Sequence, residues 1–100
     1  MLHRFLRYEV RREGLADALA ATRAFVDEVG RKEGGTASYK AFQDKATPTR
    51  FTHVMAFRVA NAEQYHRGTP WMKAFLAKVQ PLCVAPMAYE DVAEVEPAAR

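Results

Sequence analysis

Hydrophobic and polar residues alternate in four stretches of the chain, and alternation with a period of two predicts β-strands. The strongest of the four covers residues 51–59, where both faces of the strand are largely apolar. A strand of this kind is typical of the middle of a sheet that is covered on both sides. The four predicted strands are residues 2–11, 36–43, 51–59 and 86–95.

Two stretches between the strands have apolar residues three or four positions apart, which predicts helices. The first helix follows Gly14 and ends at Gly34-Gly35, since glycine readily takes the conformation that stops a helix. The second helix is predicted to begin with Asn61 as its N-cap, with Gln64 completing a capping box.

The second helical pattern is interrupted near its middle, at Gly68. Thr69 is predicted to be the N-cap of a new helical segment and Pro70 its first residue, because both residue types favour these positions. The interruption therefore predicts a kink that leaves His66 just before it.

The order of these elements is βαββαβ, which predicts an α+β, ferredoxin-like fold. Right-handed connections give a four-stranded antiparallel sheet with both helices on one face. Apolar residues occur on both faces of the inner strands, so the second face needs its own cover. A second copy of the same sheet is the simplest cover, and we expect a homodimer.

The composition narrows the classes of protein that fit. The chain has 100 residues, enough for one domain over 1–100 with a polar tail at about 96–100. An apolar fraction of 49% argues against disorder, and no apolar run is long enough to span a membrane. A net charge of +3 with no binding motif does not favour a nucleic-acid partner. The single cysteine fits a reducing compartment, so a cytoplasmic location is expected.

Two histidines are the main candidates for chemistry. His66 could act as a base, because a histidine side chain has an ordinary pKa of about 6.5, which suits proton abstraction at neutral pH. The alternative is a histidine that fastens the kink by hydrogen bonding to the backbone. His53 lies in the middle of the third strand and is either a hydrogen-bonded core residue or a ligand contact. No cluster of His, Cys, Asp and Glu at ligand spacing predicts a metal site.

Aromatic side chains could form the walls of a pocket, although such residues are more often part of a core. If the second helix packs on the face that bears His53, then His53, Phe57, His66 and Trp71 surround one cavity. A shift of one residue would point His53 to the other face of the sheet. The tyrosines that could bind a phenolic ligand are Tyr8, Tyr39, Tyr65 and Tyr89.

Nearly the whole chain resembles the antibiotic biosynthesis monooxygenase (ABM) family. The family has a Gly followed four residues later by Tyr on its second strand and an aromatic residue at the end of its third. Its second helix carries His, a Ser/Thr-Pro pair, Phe and a final Pro-Leu. The matching residues are Gly35, Tyr39, Phe57, His66, Thr69-Pro70, Phe75 and Pro81-Leu82.

The resemblance implies a dimeric α+β barrel that oxidises phenols or quinols with O2 and needs no cofactor, neither metal nor flavin. It further implies a small aromatic ligand. Under this hypothesis His66 is the base. The ligand contacts are His53, Phe57, Tyr39, Trp71 and Met55.

Two positions differ from the family. Met55 and Phe57 stand where many members have Glu and an aromatic residue that is usually Trp. This difference keeps a second hypothesis open, a homodimer of the same fold that binds a small molecule or assists another protein without turnover.

Overall fold

The four predicted strands form one antiparallel sheet in the computed structural model, which describes residues 1–99. The order of strands across the sheet is β2–β3–β1–β4, the order of a ferredoxin-like fold. Arg100, at the end of the predicted tail 96–100, lies outside the described residues. The strands are β1 (Leu2–Glu9), β2 (Thr36–Gln43), β3 (Arg50–Phe57) and β4 (Ala88–Val92).

Three helices cover one face of this sheet. They are α1 (Leu15–Lys32), α2 (Ala60–Arg67) and α3 (Pro70–Val79). Short 3-10 turns precede α1 and follow α3. The predicted second helix is thus divided into α2 and α3 at the expected break. Among residues 1–99 no helix is both long and apolar enough to cross a membrane.

Strand β3 is central, as its apolar pattern predicts, and pairs with β1 on one side and β2 on the other. Its residues Phe51, His53, Met55 and Phe57 point toward the helices and are almost completely buried. The intervening Thr52 and Val54 lie on the opposite face and are half-buried. The pleat therefore has the register that brings His53 to the helical side.

The core lies between the sheet and the helices and is rich in aromatic rings. Phe25 of α1 and Phe75 of α3 stack with their ring centroids 4.7 Å apart. Phe75 also contacts the rings of Tyr8 and His53 on the sheet, at 6.0 and 5.5 Å. Since buried aromatic side chains contribute most per residue to burial, this contact fixes how the two long helices sit on the sheet.

The predicted capping box of α2 is wrong. The helix begins at Ala60 with Val59 as N-cap, and no side chain caps it. The carbonyl of Val59 accepts from the backbone N–H groups of Ala62 and Glu63 instead. Glu63 is drawn toward the sheet, because its carboxylate accepts a 2.8 Å hydrogen bond from the Tyr89 hydroxyl of β4. The helix therefore begins at Ala60, and its N-cap, Val59, lies two residues before the predicted Asn61.

The predicted cap of α3 is confirmed. The Thr69 side chain accepts a 3.1 Å hydrogen bond from the backbone N–H of Met72, and Pro70 is the first helical residue. The same hydroxyl donates to the carbonyl of His66, at 3.1 Å. Thr69 thus joins the end of α2 to the start of α3.

Replacement of Thr69 by Ala should lower the free energy of unfolding by about 1 kcal/mol, because the Met72 N–H loses its partner. Urea denaturation measures this loss. Thr69→Ser keeps the hydroxyl and should cost clearly less, and Pro70→Ala should cost little. A larger loss for Pro70→Ala than for Thr69→Ala would contradict this description of the cap.

Candidate functional site

His53 is held between two tyrosine hydroxyl groups. The Tyr8 hydroxyl lies 2.8 Å from Nε2 and the Tyr39 hydroxyl 2.8 Å from Nδ1. Tyr8 contacts a third group, the hydroxyl of Thr22 on α1, at 3.1 Å. Strands β1, β2 and β3 place these rings side by side, because Tyr8, His53 and Tyr39 all occupy the helix-facing positions of neighbouring strands.

This arrangement keeps His53 neutral. Burial, together with the nearby imidazole of His66, lowers the pKa of His53 to about 4. Burial also raises the pKa of both tyrosines, which stay protonated at neutral pH. A neutral imidazole has one donor and one acceptor nitrogen, and the two hydroxyl groups satisfy both. His53 therefore has no free nitrogen to offer a ligand.

His66 has a different environment, although it is buried equally deeply. Its Nδ1 lies 2.7 Å from Oε1 of Glu33, the residue that ends α1. Its Nε2 is buried and has no hydrogen-bond partner among the described residues. The backbone before the kink places it here, since His66 is in the last turn of α2 and its carbonyl is held by Thr69.

The carboxylate of Glu33 is buried and accepts hydrogen bonds from three side chains. Besides His66, the Thr36 hydroxyl donates to Oε1 at 2.7 Å and the Trp71 indole N–H donates to Oε2 at 2.6 Å. Burial alone would raise the pKa of Glu33, but the bonds from His66, Trp71 and Thr36 outweigh it and lower that pKa. The lowered pKa keeps Glu33 ionised at neutral pH, so its two oxygens act as hydrogen-bond acceptors.

Aromatic rings surround the imidazole of His66. The nearest ring centroids are those of Phe57 at 5.1 Å, Tyr39 at 5.5 Å and Phe25 at 5.7 Å. Tyr39 also lies 5.6 Å from His53, so one tyrosine ring contacts both imidazoles. The arrangement is a carboxylate–imidazole pair with an unpaired nitrogen in an apolar enclosure, which is the geometry of a general base.

A groove between α1 and α3 approaches this enclosure from the surface. It has a volume of about 230 Å³, with Phe25 and Phe75 among its lining residues and Trp71 beside them. Phe25 also contacts the rings of both His53 and His66. Phe25 therefore stands between the groove and His66, and both Phe25 and Phe75 stand between the groove and His53.

The six residues predicted to form the site all lie on the helical side of the sheet. His53, Met55, Phe57 and His66 are fully buried, whereas Tyr39 and Trp71 are partly buried. Trp71 reaches the site through Glu33 rather than through either imidazole. Their roles in binding or catalysis stay predictions.

Two alternatives from the sequence do not describe the structure. The imidazole of His66 bonds to a carboxylate, so the hypothesis that it fastens the kink through the backbone is wrong. Of the four tyrosines, Tyr65 is exposed and Tyr89 bonds to Glu63, so these two lie apart from the imidazoles. Among residues 1–99 no group of three or more His, Cys, Asp or Glu side chains could hold a metal ion.

Glu33 is the residue that the sequence analysis missed. The pair Gly34-Gly35 marked the end of the helix, and a glutamate next to it looks like an ordinary surface residue. One signal was present, because an acidic residue is unfavourable at the negative C-terminal end of a helix. Arg31 and Lys32 are the residue types expected there, and a glutamate in that position needs a compensating partner.

The pKa of His53 predicts an acid-dependent loss of stability. The pKa of this imidazole is 6.5 in the unfolded chain and about 4 in the folded protein. Between pH 6.5 and pH 4 the unfolded chain therefore binds one proton more than the folded protein. Stability should fall as the pH drops below 6.5, by about 2 kcal/mol between pH 7 and pH 5. Urea denaturation at each pH measures the fall. His53→Gln should remove most of it, and His3→Gln should leave it unchanged. An equal slope in His53→Gln would contradict the assignment.

The fold is shared with many solved proteins. A structure named antibiotic biosynthesis monooxygenase superimposes with a TM-score of 0.89 at 18% identity, covering 96% of this chain and 100% of that one. A Nitrosomonas europaea protein that is also named an antibiotic biosynthesis monooxygenase superimposes with a TM-score of 0.89 at 19% identity, again covering 96% of this chain and 100% of that one. Rv0793 from Mycobacterium tuberculosis gives 0.74 at 26% identity and covers 98% of both chains.

No curated protein matches the sequence significantly. The model of the family described as antibiotic biosynthesis monooxygenase, ABM, matches residues 1–78. The matched segment contains β1 to β3 and most of the helical layer, including Glu33, His53 and His66. The chain therefore belongs to the antibiotic biosynthesis monooxygenase family.

Proposed function

We propose that the protein is a cofactor-independent monooxygenase that oxidises a phenol- or quinol-type aromatic molecule with O2, with His66 as its base. One observation carries the proposal, the unpaired Nε2 of His66 opposite a buried carboxylate. An imidazole in this state can accept a proton at Nε2 while Glu33 stabilises the charge that develops on the ring.

The first step is removal of a proton from the substrate by Nε2 of His66. The acidic hydrogen is on a phenol oxygen or on a ring carbon that the phenol or ketone activates. The resulting anion is electron-rich, and the apolar rings of Phe57 and Phe25 exclude water from it. Tyr39 and His53, which form the adjoining wall, would orient the aromatic ring.

The second step uses the electrons of the substrate itself. For a ring methylene, the carbanion attacks O2 and forms a C–O bond, giving a peroxide after protonation. Loss of the second hydrogen from the same carbon as a proton breaks the O–O bond. One oxygen atom stays as a ketone and the other leaves as water. All four electrons that reduce O2 come from the carbon, so no external reductant is needed.

Access to His66 requires movement of aromatic rings, because its imidazole is fully buried. The groove between α1 and α3 offers the shortest route, since Phe25 lines it and also contacts the imidazole. Trp71 stands at the same groove and would contact the ligand as it enters. Met55 and Phe57 would form the floor of the pocket on the sheet.

Replacement of His66 by Gln should slow the oxidation of an anthrone or a hydroquinone by about a hundredfold or more, because the base is lost. Consumption of O2 and formation of the quinone product measure the rate. His66→Ala should behave alike, and Gln64→Ala on the exposed side of α2 should match the wild type. Equal rates for the wild type and His66→Gln would remove His66 from the mechanism.

The packing around the site favours a second candidate, a homodimer that binds a small molecule or assists another protein without turnover. Met55 and Phe57, which replace the Glu and Trp of many family members, are completely buried, and the Phe57 ring lies 5.1 Å from the imidazole of His66. Under this alternative an aromatic ligand binds with no consumption of O2, and His66→Gln changes only the affinity.

The open face of the sheet supports a homodimer. No helix among residues 1–99 covers this face, where Phe5 of β1 stands opposite Val54 of β3, and Phe42 of β2 stands opposite Thr52, the next residue of β3 on the same face. Phe42 is more than half exposed, so a second sheet packed on this face would remove its ring from water. A second sheet packed face to face would bury all three apolar side chains.

Light scattering should give a mass of twice 11.3 kDa at micromolar concentration. Val54→Glu places a charge in the middle of the open face and should give the monomer mass. Arg23→Glu, on the exposed side of α1, is the matched control and should leave the dimer intact. A wild-type particle with the mass of one chain would contradict the dimer.

A further inference from the structure

Three donors converge on the Glu33 carboxylate, and they differ in what else they can do. The indole N–H of Trp71 can only donate a hydrogen bond. The hydroxyl of Thr36 and the Nδ1 of a neutral imidazole can either donate or accept. Oε1 faces the two adaptable groups, His66 and Thr36, and Oε2 faces the group that can only donate.

We propose that Glu33 is a positioning residue that holds His66 in the Nδ1–H tautomer, and that the Trp71 indole makes a carboxylate necessary for this. An ionised carboxylate only accepts, so the ring nitrogen that faces it must carry the proton. Nε2 then keeps its lone pair and points away from Glu33. The consequence for catalysis rests on the proposed function, whereas the tautomer does not.

An amide at position 33 would have the same shape but one accepting and one donating end. The accepting oxygen has to face Trp71, because two N–H groups cannot share a hydrogen bond. The amide NH2 then faces Nδ1 of His66 and the hydroxyl of Thr36, both of which can accept. Nδ1 would lose its proton, and the proton would move to Nε2. Glu33→Gln should therefore invert the tautomer of His66 while it keeps the size and the buried state of residue 33.

Long-range ¹H–¹⁵N correlation spectra of the ring nitrogens distinguish the two tautomers. At pH 8 the wild type should show a protonated Nδ1 and a bare Nε2, and Glu33→Gln should show the reverse. The signals of His66 are those missing from the spectrum of His66→Gln. A bare Nδ1 or a doubly protonated ring in the wild type would overturn the proposal. This test uses the wild-type protein, so it does not depend on whether a variant at position 33 folds.

A double variant tests the part of Trp71. In Glu33→Gln/Trp71→Phe the indole N–H is absent, so the amide oxygen is free to turn toward His66 and Thr36. The Nδ1–H tautomer should return. Trp71→Phe alone is the matched control and should keep the wild-type tautomer, because the carboxylate is still present. An Nε2–H ring in the double variant would show that Trp71 does not dictate the orientation of residue 33.

Activity measurements separate this proposal from the proposed function. If His66 is the base, Glu33→Gln should lower kcat by about a hundredfold or more, because Nε2 carries a proton and cannot accept one. The kcat of the double variant, expressed relative to that of Trp71→Phe, should be at least tenfold higher than the kcat of Glu33→Gln expressed relative to the wild type. Inverted and restored tautomers without a change in oxidation would support the role of Glu33 and contradict the function of His66 as base. Retention of the Nδ1–H tautomer in Glu33→Gln would contradict the role of Glu33 itself.

Discussion

The buried carboxylate of Glu33 is the group on which the rest of the site depends. An ion removed from water loses several kcal/mol of solvation, and only close hydrogen bonds compensate for that loss. Here Thr36, His66 and Trp71 supply them, from β2, α2 and α3. The charge therefore fixes where the end of α1 sits relative to these three elements. Displacement of any one of them would remove one of the three hydrogen bonds that stabilise the buried anion.

The break between α2 and α3 allows side chains from both helices to reach the Glu33 carboxylate. His66 lies in the last turn of α2 and Trp71 in the first turn of α3, and both side chains reach Glu33. In a continuous helix, residues five positions apart lie on different faces. The cap at Thr69 redirects the backbone, so that two side chains from opposite sides of the break converge on one group.

Two imidazoles in one apolar core acquire opposite properties from their partners. His53 is bonded at both nitrogens by hydroxyl groups, which makes it a neutral connecting element between Tyr8 and Tyr39. His66 is bonded at one nitrogen by an anion, which leaves the other nitrogen available. The same residue type thus has both ring nitrogens bonded in one position and one nitrogen without a partner in the other, because the surrounding side chains differ.

The sequence by itself determined the strand and helix order, the central place of β3 and the cap at Thr69. These features follow from local patterns, because periodicity and capping depend on neighbouring residues. The tertiary structure alone decided which face of the sheet carries His53, where α2 begins, and which residue is the partner of His66. Glu33 and His66 are 33 positions apart. No local pattern joins two such residues, and only the packing of α1 against the break between α2 and α3 brings them together.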